Sequence, residues 1–144
     1  WDNAILLCDV KDVDGSIFPM MYETKRLSPG STNEWRLEVY GLEASAKFST
    51  NDPGAFCYTQ SLGKEQAWCR VNVGYKPMIP TLTGGIFEFG FTDSILQMWG
   101  AFMCELSGIE VPFGCVTPEE TELSHKLQSA ALLSNKTGRL VTIE

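Results

Sequence analysis

Hydrophobic and polar residues alternate with period two in residues 36–49. Leu37 and Val39 share one side of the first half of this stretch, and Ala46 and Phe48 share one side of the second half. Successive side chains of a β-strand point to opposite faces of a sheet, so this alternation is typical of strands. The pattern therefore predicts a β-hairpin with one apolar face.

Further strands follow from the same signal and from the turns between them. The turn "DVDG" at 12–15 separates two apolar stretches, because Asp-Gly favours the positive φ angles of tight hairpins. The turn "NDPG" at 51–54 precedes another pair of strands. The strands predicted outside the first hairpin are residues 4–10, 16–26, 55–61, 65–73 and 139–143.

A first helix is indicated by apolar residues that recur at helical intervals. Thr92 or Asp93 is expected to cap its start, and Gly108 is expected to end it. The stripe expected to face the core consists of Ile95, Trp99, Phe102 and Leu106.

A second helix is indicated by its start signal, "TPEE". Thr117 suits the N-cap, Pro118 suits the first helical position, and Glu120 completes a capping box. Gly138 is expected to lie past the end of the helix. Its inward stripe is predicted to be Leu123, Leu127, Ala130 and Ser134.

The order of strands, then helices, then one strand predicts an α+β fold. We expect one domain over residues 1–144, with a predominantly antiparallel (mixed) open sheet and two main helices packed on its apolar face. The other sheet face is expected to be available for oligomerisation, since aromatic side chains mixed with arginines are typical of interfaces. A solvated face with scattered aromatic residues is the alternative. That face carries Arg36, Glu38, Tyr40, Trp68 and Arg70.

Charge and hydropathy exclude some classes of protein. The net charge is −7 and no cluster of lysine or arginine occurs, so nucleic-acid binding is not expected. No apolar run reaches the ~18 residues of a membrane-spanning helix, and no signal peptide is visible. The chain opens "WDNAILLCDV" without a methionine, so we expect it to be a piece of a longer protein.

The cysteines do not predict a metal site. There are five of them, no two have the C-x-x-C spacing, and His125 is the only histidine. We expect buried, reduced thiols in a cytoplasmic protein.

No catalytic set is visible in the sequence. The patterns G-x-G-x-x-G, G-x-x-x-x-G-K-[ST] and G-x-S-x-G are absent. His125 is predicted to be exposed, because it lies away from the inward stripe of its helix. Residues 74–91, rich in glycine and proline, predict a long irregular loop, and long loops in compact domains are often functional.

Residues 23–48, "ETKRLSPGSTNEWRLEVYGLEASAKF", resemble the C-terminal domain of the glucose–fructose oxidoreductase / inositol dehydrogenase / MocA family. Arg26, Gly30, Glu38, Tyr40 and Gly41 fit the pattern of that family. The opening "WDNA" and the closing stretch 117–143 are also similar, so the resemblance covers nearly the whole chain.

The resemblance implies a role within a larger enzyme. Family members place a dinucleotide-binding Rossmann domain first, with its glycine-rich loop and catalytic lysine, and none of these motifs occurs here. The resemblance implies that this chain is a substrate-binding and oligomerisation domain. It would have no catalytic, cofactor-binding or metal-binding residues of its own. NAD or NADP would bind the Rossmann domain, which is the partner in cis. The substrate would be a sugar, a polyol or a similar hydroxyl compound, and the protein a homo-oligomer.

The substrate pocket implied by the resemblance lies around the long loop. Many family members have a histidine-containing string before the first helix, whereas this chain reads "FEFGFTDS" there. A stand-alone, non-catalytic binding or scaffold domain of the same fold is the alternative. An independent hydrolase is disfavoured, since no nucleophile–base pair can be assembled. The substrate-binding residues expected are Arg26, Lys76, Glu88, Phe89, Thr92 and Asp93.

Overall fold

Six strands and two helices make up the computed structural model, which describes residues 2–60, 65–74, 76–82 and 89–143. The elements are β1 (Asn3–Lys11), β2 (Ile17–Lys25), β3 (Arg36–Tyr40), β4 (Ala44–Ser49), β5 (Ala55–Gln60), β6 (Cys69–Asn72), α1 (Phe91–Leu106) and α2 (Pro118–Thr137).

The fold is of the α+β class with antiparallel sheets, which confirms the predicted class. The described strands form two sheets, however, where the sequence predicted one. One sheet is the pair β1–β2, and the other has the order β3–β4–β5–β6. The chain divides into two compact units, Trp1–Thr32 with Val116–Glu144, and Asn33–Cys115. The single domain predicted over 1–144 stays a prediction.

The first unit contains a nine-residue antiparallel hairpin, β1–β2. Its register runs from Asn3 opposite Lys25 to Lys11 opposite Ile17. The predicted "DVDG" turn is confirmed: Gly15 has φ +87° and donates its backbone N–H to the carbonyl of Asp12. Only a residue without a Cβ adopts this angle at no steric cost.

Helix α2, in the same unit, has the predicted caps. The Thr117 hydroxyl accepts from the Glu120 backbone N–H at 3.2 Å, and the Glu120 carboxylate accepts from the Thr117 N–H at 2.8 Å. Gly138 ends the helix at φ +65°. His125 is exposed, as predicted. Of the predicted stripe, Leu127, Ala130 and Ser134 are half-buried, whereas Leu123 is exposed.

The last predicted strand, 139–143, is not formed. Residues 139–143 follow the αL glycine of α2 as irregular backbone. A strand exists only where its N–H and C=O groups pair with a second strand. No described strand pairs with this segment.

The second unit contains the predicted hairpin β3–β4. Leu37 stands opposite Phe48 and Val39 stands opposite Ala46, so the predicted apolar face is formed. Helix α1, the helix of this unit, does not cover that face at these residues, because Leu37 is 64% and Val39 57% exposed. On the opposite face, the polar side chains Ser45, Lys47 and Ser49 are half-buried.

The N-cap of helix α1 lies two residues before Thr92, the nearer of the two predicted caps. Gly90 is the N-cap, and the Asp93 carboxylate, at the third helical position, accepts from the Gly90 N–H at 2.9 Å. Thr92 and Asp93 are therefore not the cap, although Asp93 does serve the helix start. Gly108, at φ +69°, follows the end of the helix as predicted.

The predicted inward stripe of α1 faces outward. Trp99 is 62% and Leu106 is 68% exposed, whereas Gln97 and Ala101 are buried. The rings of Trp99 and Phe102 contact each other edge to face, with centroids 5.9 Å apart. Apolar residues surround most of this helix, so its periodicity could not decide which side packs.

Candidate functional site

A line of four residues on one side of α1 forms the base of the candidate site. Asp93, Gln97, Ala101 and Glu105 recur every four residues, so they lie one above the other on the same helix face. Gln97 and Glu105 accept hydrogen bonds from the backbone of other segments, and Asp93 accepts one from Gly90, the N-cap of α1 itself. This line, the packing face of α1, therefore holds irregular backbone in place through polar side chains.

Gln97 makes the central contact of the packing face. Its Oε1 accepts from the Ile79 N–H at 2.7 Å, and its Nε2 donates to the Ile79 carbonyl at 2.8 Å. The side chain is buried, with the residue 6% exposed. A buried amide paired in this two-point manner fixes residues 76–81 against the helix, because both backbone groups of Ile79 depend on it.

Gly100 allows the same segment to approach closely. A Cβ atom at this position would overlap Cγ1 of Ile79 and would lie 3.0 Å from its Cδ1. The absence of a side chain thus creates the groove that receives Ile79.

Glu105 holds a second segment. Its Oε1 accepts from the Cys115 N–H at 2.9 Å. Burial, followed by the charge of Glu105 and a hydrogen bond to it, raises the pKa of the Cys115 thiol. This contact fixes the backbone just beyond Phe113 at the side of the helix.

A cleft of about 350 Å³ lies between α1 and the two held segments. This volume is within the usual range of small-molecule sites, roughly 300–1,000 Å³. Its described lining residues are Lys76, Pro77, Met78, Phe89, Ser94, Gln97, Met98 and Phe113.

The described lining of the cleft carries few polar groups. Lys76 supplies a cation, Ser94 a hydroxyl, and the remaining walls are aromatic or apolar. The Ser94 Oγ donates weakly to the Gly90 carbonyl at 3.3 Å, so this hydroxyl can turn to a ligand. The described lining contains no carboxylate or imidazole.

The cleft contains two of the predicted substrate-binding residues, Lys76 and Phe89. Asp93 is engaged at the helix start, and Thr92 is exposed and outside the described lining. Arg26 belongs to the first unit, where its backbone N–H bonds the Asp2 carbonyl. Glu88 lies outside the described residues.

Sequence reasoning missed Ser94, Gln97 and Phe113. One signal could have found Gln97, which is the polar residue inside the apolar string "SILQMWGAFM". A lone amide in such a setting is expected to be buried and paired rather than solvated. Phe113 carries no such signal, because its place depends on the contact between Glu105 and Cys115.

A second concavity, of about 320 Å³, lies on the polar face of the four-stranded sheet. Its charges are largely paired within the chain. Arg70 binds the Asp52 carboxylate at 2.7 Å. Lys47 lies over the Trp68 ring, with its Nζ 4.2 Å from the centroid. Arg36 pairs with Glu34 at 2.9 Å. These contacts order the sheet face. Because its charged side chains are already paired, this concavity is less suited to bind a small ion.

The remaining pKa shifts lie away from the cleft. A hydrogen bond to Glu38, at 2.8 Å, raises the pKa of Tyr40 on the polar sheet face. Hydrogen bonds from Ser16 lower the pKa of Asp14 in the β1–β2 turn. Both have local structural causes.

Within the described ranges, no three histidine, cysteine, aspartate or glutamate residues are grouped as metal ligands would be. All five cysteines are free thiols. Neither described helix combines the length and the hydropathy needed to cross a bilayer.

Comparison with known proteins identifies the fold. No family model matches the chain, and no curated protein matches it. Among solved structures, it is similar to an oxidoreductase from Sinorhizobium meliloti, with a TM-score of 0.76 and 16% sequence identity. The match covers 95% of this chain and 40% of the oxidoreductase chain. The chain therefore has the fold of part of an oxidoreductase and spans less than half the length of that protein.

Proposed function

We propose that this chain is the substrate-binding and oligomerisation domain of an NAD(P)-dependent oxidoreductase, of the glucose–fructose oxidoreductase / inositol dehydrogenase / MocA family. The observation that carries the proposal is the structural match, which aligns 95% of the chain with 40% of an oxidoreductase. The sequence resemblance over residues 23–48 points the same way. The substrate class we propose is a sugar, a polyol or a similar hydroxyl compound.

The cofactor would be held elsewhere in the parent protein. The sequence has no glycine-rich phosphate-binding motif, so this chain does not fit a dinucleotide. We place NAD or NADP on a Rossmann domain of the same parent chain, and the parent in the cytoplasm. The nicotinamide would supply the hydride chemistry, and the present chain would supply a wall of the substrate site.

The cleft on α1 suits a domain that binds the substrate while another domain holds the cofactor. Phe89 and Phe113 offer flat apolar surfaces for the C–H face of a sugar ring, and Lys76 and Ser94 offer polar contacts at the same opening. Gln97 keeps residues 76–81 in position through its two hydrogen bonds to Ile79. The chain would bind and orient a substrate against a hydride acceptor held by its partner domain.

The test begins with the natural protein that contains this chain. We expect reduction of NAD or NADP, followed by absorbance, with at least one member of a panel of sugars and polyols. Phe89→Ala should raise KM about two- to tenfold, the usual worth of one aromatic contact, with a smaller effect on kcat. Phe18→Ala, on the β2 strand, is the matched control and should leave KM unchanged.

Two results would contradict the proposal. One is a natural protein close to the 16.0 kDa of this chain that binds neither dinucleotide. The other is a larger parent protein that binds no dinucleotide. Either would leave the stand-alone binding or scaffold domain as the better explanation.

Oligomerisation is proposed through the polar face of the four-stranded sheet. Tyr40 and Trp68 are exposed there among arginine and glutamate side chains, which is the composition of many protein interfaces. Trp68→Ala should weaken the oligomer, measured by sedimentation of the natural protein across a concentration series. Trp35→Ala, before β3 and also exposed, is the control. An oligomer unaffected by Trp68→Ala would exclude this face.

A further inference from the structure

The cleft on α1 contains a single charged residue among its described lining. That residue is Lys76, and it is exposed. No carboxylate of the described residues forms an ion pair with it. By contrast, Lys25 pairs with Glu23 at 2.9 Å, and Lys126 pairs with Glu122 at 3.1 Å. Lys76 therefore brings a positive charge to the opening of a site whose other described lining residues are uncharged.

The other polar side chains of the cleft differ in whether they are already hydrogen-bonded within the protein. The Gln97 amide is used, because its oxygen and its nitrogen both bond Ile79. The Ser94 hydroxyl makes only a long bond, at 3.3 Å. A ligand thus meets one ammonium and one hydroxyl, against walls of Phe89 and Phe113.

We propose that the ligand of this cleft is a hydroxy acid of the sugar-acid class, whose carboxylate binds Lys76 and whose apolar face packs on Phe89 and Phe113. This inference rests on the proposed function, which makes that ligand the substrate. A carboxylate carries one charge, which one ammonium can match in a charge-assisted hydrogen bond. A phosphate ester carries nearly two charges at neutral pH and is usually held by several donors or an arginine fork.

The experiment measures binding to the natural protein by calorimetry, separately from turnover. The probes are gluconate, the neutral polyol sorbitol, and glucose 6-phosphate. We expect gluconate to bind about ten- to a hundredfold more tightly than sorbitol, the range of a hydrogen bond to a charged group. Lys76→Met should remove this preference, and Lys76→Arg should keep most of it. Lys11→Met, on β1, makes the same change of charge and should have no effect.

Two sets of outcomes separate this inference from the proposed function. Equal binding of gluconate and sorbitol, a preference for glucose 6-phosphate, or a gluconate preference that survives Lys76→Met would overturn the inference. Each of these is compatible with NAD(P) reduction by neutral sugars. If Lys76-dependent gluconate binding occurs without dinucleotide binding, the acid site is supported and the oxidoreductase role fails.

Discussion

The two helices of this protein follow different rules. Helix α2 begins and ends where its sequence says, between a Thr117–Glu120 capping box and an αL glycine at Gly138. Helix α1 is apolar on most sides, yet it packs through Gln97 and Ala101 and leaves Trp99 exposed. The ends of a helix are set by local chemistry, whereas its packing side depends on what the rest of the chain presents to it.

The difference shows where polar side chains matter most in this chain. In α2, the hydroxyls of Thr121, Ser124 and Thr137 donate to backbone carbonyls of the same helix or its N-cap. In α1, Gln97 and Glu105 bond the backbone of distant segments, at Ile79 and Cys115. Loss of a polar group should therefore be costly on the packing face of α1 and nearly neutral on the surface of α2.

The largest effect is expected for Gln97→Leu. Leucine has a similar volume but leaves the Ile79 N–H and carbonyl unpaired near the helix. An unsatisfied buried group costs about 1–3 kcal/mol, so we expect a loss of roughly 2–4 kcal/mol in the free energy of unfolding. Urea unfolding of the natural protein measures it.

Gln128→Leu, on α2, is the matched control for this change. Gln128 is exposed, and we expect its replacement to change stability by less than about 0.5 kcal/mol. Equal effects of the two substitutions would refute the distinction between the helices. Hydrogen exchange adds a local measure, since the Ile79 amide should lose protection in Gln97→Leu alone.

The next effect concerns Gly100. In the native sequence, Gly100→Ala should destabilise by about 1–2 kcal/mol, because the new methyl group displaces Ile79. With Ile79→Ala already present, the same change should stabilise by up to about 1 kcal/mol, since alanine favours a helix more than glycine does. A double-mutant cycle by urea unfolding measures this reversal of sign. Additive effects would show that Ile79 does not occupy the groove.

The limits of sequence reasoning follow from the same contrast. The α+β class, the β1–β2 turn and both caps of α2 could be predicted because each depends on residues close together in the chain. The packing side of α1 could not, since it depends on Ile79 and Gly100 meeting across 21 positions. The prediction of a strand at 139–143 was wrong for a similar reason: an apolar pattern lies within the chain segment itself, but a strand also needs a second strand to pair with.

The candidate site divides in the same way. Lys76 and Phe89 were predicted from their position in the long loop, and both line the cleft. Gln97 was overlooked because a single amide adds little to a helical pattern, although it holds Ile79 and its neighbours against the helix. Thr92 was predicted as a cap and a ligand contact. The N-cap is Gly90, two residues earlier, so Thr92 is not the cap, while its contact with a ligand stays a prediction.

A smaller effect is expected at the helix caps. Thr117→Ala removes the acceptor for the Glu120 N–H and should cost about 1 kcal/mol. Thr92→Ala, the corresponding change near the start of α1, removes no described hydrogen bond and should cost less than about 0.5 kcal/mol. Thermal unfolding of both variants provides the comparison. If Thr92→Ala lowers stability more than Thr117→Ala does, Thr92 rather than Gly90 is the N-cap of α1, as the sequence predicted.

The smallest effect concerns Glu105 and is expected in reactivity rather than in stability. Glu105→Gln keeps an oxygen that can accept from the Cys115 N–H, so the held segment should stay in place. The substitution removes the negative charge that disfavours the Cys115 thiolate. The pKa of that thiol should fall, while burial, the larger cause, still keeps it above its ordinary value. Alkylation rates at Cys115 across a pH series, followed by mass spectrometry, should then rise at lower pH. Glu122→Gln on α2 makes the same change of charge and should leave the profile unmoved. An unchanged profile in Glu105→Gln would mean that Glu105 acts on this segment through its hydrogen bond alone.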